Sequence, residues 1–113
     1  MPARCDTFFQ GDAIHQVMAM LDRQIVRLVS ESPSMRAADL AGAVDHIRHT
    51  AHEHGLTGLA DIAHALTTTM ARHDGGVAIS PWLDAMRGLL GHDPVNTIAA
   101  QSWITALSQR YHA

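Results

Sequence analysis

A chain of 113 residues, 47% apolar and 17% charged, is too apolar for intrinsic disorder and long enough for one core but not two. Its formal charge of −3, with eight basic residues that are all Arg and nowhere clustered, gives no electrostatic footprint for a nucleic-acid backbone. The single Cys5 excludes a disulfide framework and a cysteine-based metal site, and a reducing compartment fits it.

The opening MPARCDTFFQGD lacks the apolar core of a secretory signal, and no later window reaches the length of a membrane span, so a cytoplasmic protein is expected. Residues 1–11 are expected to be flexible or a short lid helix carrying Phe8 and Phe9. From Asp12, a candidate N-cap, Ile14, Val17, Met18, Leu21, Ile25, Leu28 and Val29 recur at the spacing that lines one face of a helix, which Ser32-Pro33 ends.

A second helix is predicted from near Ser34 to about Gly55, burying Leu40, Val44, Ile47 and Ala51. Gly55 suits the left-handed residue that closes a helix, and Thr57 can cap the next, so the two helices should fold back as neighbours. The third places Leu59, Ile62, Ala63, Leu66 and Met70 inward and stops before Gly75-Gly76. Ser80-Pro81 starts a short fourth helix through Leu90, with Trp82, Leu83, Met86, Leu89 and Leu90 inward. Asp93-Pro94 repeats the start signal for a last helix over about 95–111, with Ala100, Trp103, Ile104, Leu107 and Tyr111 as its stripe and Ile98 to one side.

No segment alternates like a strand. The expected fold is all-α: one domain, residues 1–113, built as an antiparallel up-and-down four-helix bundle with an additional short helix. Trp82 and Trp103 would fill its wide end. Apolar surface left over on helix 81–90 would mark a partner face, which keeps a homodimer open.

The densest polar chemistry lies on the second helix. At about 100° per residue, Asp45, Arg48, His49 and His52 share one sector opposite the apolar stripe, with His46 and Glu53 flanking it. A solvated helix face looks the same, and the other histidines are scattered as composition alone would leave them.

The stretch Val44 to Arg48, with Ile47 as apolar and Arg48 as basic member, followed by Gly55-Leu56-x-x-Leu59-Ala60-x-Ile62-Ala63-x-x-Leu66, resembles histidine-containing phosphotransfer domains. These are helical bundles of bacterial phosphorelays, with a mid-helix His-x-Leu-Lys-Gly pattern ten residues before a turn glycine. The resemblance covers the central third of the chain. It implies a two-component signalling module whose partner is a response-regulator receiver domain or a histidine kinase, with Asp45, Arg48, His49 and His52 as the contact face.

Two positions depart from the family pattern: Asp45 stands where the phosphoacceptor His would be, and His49 where the family has a small glycine. A carboxylate is a feebler nucleophile than a neutral imidazole and brings negative charge to where the phosphoryl group approaches. His49 would crowd a docking receiver. The expectation is a non-phosphorylated or atypical binding partner; if the module is active, its chemistry is histidine phosphotransfer at His49 or, as the weaker candidate, His46.

A metal-binding bundle is the competing reading. His49-x-x-x-Glu53 sets two ligand types one turn apart, and His46 could join them in a surface site. Hemerythrin-like bundles use a similar step, but a bundle-core metal needs inward ligands and this sector faces outward. A structural or oligomerisation module with no site is the third alternative. No cofactor is implied, and neither a phosphate-cradling Gly loop nor a nucleophile elbow is present, so no enzyme in the ordinary sense is expected.

Overall fold

The structure is a computed structural model, and it describes residues 2–73 and 77–109, with side chains from Ala13 onward. The described residues are all-helical and contain no strand: α1 (Pro2–Glu31), a 3-10 turn (Ser32–Ser34), α2 (Ala37–Glu53), α3 (Thr57–His73), α4 (Ser80–His92) and α5 (Thr97–Ser108). No described helix is long and apolar enough to cross a membrane. The expected contribution of Tyr111 lies outside the described residues.

One core draws on every helix: Leu21, Ile25 and Leu28 from α1, the expected Leu40, Val44, Ile47 and Ala51 from α2, and Ala100 and Leu107 from α5. α3 is the hub. It packs against α2, α4 and α5, which is why Gly58, Leu59, Ala60, Ile62, Ala63, Leu66 and Met70 are all buried on it. α1 instead rests mainly on α4, where Arg87 Nε donates to Asp22 Oδ1 at 3.0 Å. At 30 residues α1 is about 45 Å long, against about 26 Å for α2 or α3. It overshoots them, so the radius of gyration is 15.1 Å, where about 13 Å suits a compact domain of this length.

The turn between α2 and α3 is fixed by glycine. Gly55 has φ +75°, its N–H donates to the carbonyl of His52, and the Leu56 N–H donates to that of Ala51 at 2.8 Å. These two bonds satisfy carbonyls that the end of a helix otherwise orphans, while Leu56, like Ala51, is buried in the core. Gly55→Ala is expected to cost about 1 kcal/mol in chemical unfolding, because a Cβ is strained at positive φ even where space is open.

Several expected boundaries move. α1 is continuous through Asp12, so that residue is no N-cap. α2 begins at Ala37 behind Arg36, without a side-chain cap, because Ser32–Ser34 first make the 3-10 turn. α5 begins at Thr97 rather than 95: Asp93-Pro94 forms a turn, and Asn96 Oδ1 accepts from the Ala99 N–H at 3.0 Å as the true cap.

That turn has a second task. The Pro94 carbonyl accepts from the Leu59 N–H at 2.9 Å and the Val95 carbonyl from the Thr57 hydroxyl at 3.0 Å, so the α4–α5 loop caps α3 from outside. Thr57 therefore donates across the fold instead of capping its own helix.

α4 and α5 also divide the aromatics differently from expectation. Trp82, Leu83, Met86, Leu89 and Leu90 are buried, as their inward spacing predicts, and leave no apolar surface of their own on helix 81–90 for a partner. Trp103 is 46% exposed, Ile98 80% and Val29 36%, because α5 meets α3 along Ala100 and Leu107 and α1 offers only one stripe to α4.

Candidate functional site

The polar sector of α2 faces outward. Leu40, Val44, Ile47 and Ala51 anchor the opposite face in the core, and that fixes the rotation of the helix about its axis. Asp45, His46, His49, His52 and Glu53 are exposed, whereas Arg48, on the flank beside Val44, is intermediate.

Two pairs organise the ridge. Arg48 Nε donates to Asp45 Oδ1 at 2.9 Å, three residues apart, and His49 Nε2 lies 3.0 Å from Glu53 Oε1, four residues apart. The first runs in the orientation that favours a helix, acid before base. The second offsets a carboxylate at the last residue of α2, where the helix dipole disfavours negative charge. Both are well solvated, and such helix pairs are worth only about 0.3–0.5 kcal/mol. They set side-chain geometry more than they hold the fold.

His52 completes the ridge between the two pairs. His46 does not belong to it: about 100° round the helix from Asp45, it lines a cleft between α1 and α2. The anticipated His46, His49 and Glu53 set is therefore not assembled, since His46 and Glu53 are two turns, about 10 Å, apart. Among the described residues no three His, Cys, Asp or Glu side chains converge to hold a metal.

The α1 side of that cleft, with Gln24, Arg27 and Glu31, was not singled out by sequence reasoning. A spacing of three and four residues on α1 puts those groups on one face, but nothing in the sequence says that α2 leaves a gap beside it.

No protein-family model, no curated protein and no solved structure matches the chain.

Proposed function

We propose that this chain is a histidine-phosphotransfer-like module of two-component signalling that binds a receiver domain or a histidine kinase through Asp45, Arg48, His49 and His52, without relaying phosphate. The observation that carries this reading is the exposed α2 ridge ending at the Gly55 turn, with both of its leading groups already paired. Asp45 is bound to Arg48. His49 holds Nε2, the ring nitrogen farther from the backbone, 3.0 Å from Glu53 Oε1, which sets a carboxylate beside the path of an incoming phosphoryl group.

The finer architecture belongs to the same proposal. α1 touches α2 and α4, and α3 touches both, a closed ring that supports an antiparallel up-and-down four-helix bundle of α1–α4 with α5 as the additional helix, in place of the short helix 81–90 expected in that role. Such a bundle holds α2 rigid and leaves its outer face free for a partner.

Incubating the purified chain with phosphoramidate, and separately with phosphorylated receiver domains of the source organism, tests the non-relaying part. Receiver binding with no acid-labile phosphohistidine is expected. Stoichiometric label on His49 or His46 would make the module a working relay and overturn this version.

A further inference from the structure

α5 combines two properties that a solvated helix does not ordinarily share. Of its 12 residues only Ala100 and Leu107 are buried, yet residues 94–109 contain no Asp, Glu, Arg or His. Each of α1, α2, α3 and α4 carries both a carboxylate and an arginine. Three of the five large apolar side chains exposed among the described residues, Val95, Ile98 and Trp103, fall in this one uncharged stretch.

Ile98, Ser102, Thr105 and Gln109, all exposed, follow at steps of four, three and four, the spacing of a seam between two helices. At about 100° per residue that seam lies opposite Ala100 and Leu107, the positions α5 buries in the core. The Ser102 hydroxyl already donates to the Ile98 carbonyl at 3.3 Å, so covering the middle of the seam strands no donor.

We propose that this face binds a second copy of the chain, α5 against α5 about a two-fold axis. Charge selects that occupant. A partner surface bearing Asp, Glu or Arg would lose hydration against α5 and meet no opposite charge in return, and such groups lie on every other helix of this chain. A two-fold pairing sets uncharged against uncharged by symmetry and covers Ile98 of both copies at once. A helix of 12 residues is about 18 Å long, too short to bury the roughly 800 Å² per partner of a standard stable interface, so the dimer is weak, with Kd about 0.1 mM. The proposal stands apart from receiver docking, whose ridge is on α2, and either can fail without the other.

The test is sedimentation equilibrium of the whole chain from about 10 μM to about 1 mM, in reductant so that Cys5 cannot cross-link two copies. A reversible monomer–dimer equilibrium is expected. Ile98→Glu, which puts a charge on the face of each copy with no opposite charge to meet it, should weaken the dimer about tenfold or more. The circular dichroism of that variant should match the wild type, because residue 98 is 80% exposed. Val26→Glu, the same kind of change at a 40% exposed position on α1, should leave the dimer unchanged. Neutral phosphatidylcholine vesicles should not retain the wild-type chain. A chain that stays monomeric throughout, a dimer indifferent to Ile98→Glu, a dimer weakened equally by Val26→Glu, or a monomer that partitions onto the vesicles unless residue 98 is charged would each overturn the proposal, the last by assigning the face to lipid.

Discussion

Trp82→Ala should lower stability by about 3–5 kcal/mol in urea unfolding followed by far-UV circular dichroism, the largest loss expected from any single truncation here. Trp82 is the largest fully buried side chain, with no exposed surface, near the start of α4, where α1, α3 and α5 all pack against that helix. Removing an indole from such a place forfeits its transfer free energy and leaves a cavity that rigid helices cannot fill. Against a typical stability of 5–15 kcal/mol that is a large share. Trp103→Ala supplies the internal contrast: at 46% exposure it should change stability by about 1 kcal/mol or less. The same division should appear in fluorescence, with acrylamide quenching Trp103 and sparing Trp82. Equal losses from the two substitutions would mean that α4 and α5 are misplaced relative to α3.

Gly58→Ala should destabilise by about 1–3 kcal/mol, although helix propensity alone predicts a gain of about 1 kcal/mol at a helical glycine. A Cβ at residue 58 would stand 2.7 Å from the Asn96 carbonyl oxygen and 2.9 Å from that of Pro94. Both neighbours are backbone of the loop held down by the bonds from Leu59 to Pro94 and from Thr57 to Val95, and the Asn96 carbonyl also accepts from the Ala100 N–H, so neither can rotate away. Relief requires lifting the α4–α5 loop off the start of α3, which surrenders both bonds. The opposite sign in an unfolding experiment would show that the loop does not sit on α3. Gly42, which has open space at its Cβ, is the control: Gly42→Ala should stabilise by up to about 1 kcal/mol.

What could be read from the sequence was whatever depends on one helix at a time. The inward stripes of α2, α3 and α4 follow from 3.6-residue periodicity, and the outward ridge of Asp45, Arg48, His49 and His52 is the same periodicity read on the other side. Gly55 was legible because only glycine adopts φ +75° at no steric cost. The failures share a cause in packing between segments distant in sequence. Asp93-Pro94 carries the same start signal as Ser80-Pro81, yet its carbonyls serve α3 and the real cap of α5 is Asn96. Trp103 lies among residues of helical spacing, but on a helix of 12 residues whose buried positions are Ala100 and Leu107 it is left 46% exposed. His46 flanks the ridge by periodicity alone, but the cleft it lines beside α1 depends on a distance between helices that no periodicity encodes.

The most direct measurement of a docking ridge on α2 is the affinity of the source organism's receiver and kinase domains for the wild-type chain and for Arg48→Glu and His49→Glu variants, by isothermal titration calorimetry. Circular dichroism should show each variant folded, because residue 49 is exposed and residue 48 lies outside the core. At least one domain should bind the wild-type protein and lose about tenfold or more in affinity to each variant. Binding that ignores both charge reversals, or no binding by any of these domains, would contradict a signalling role for this face.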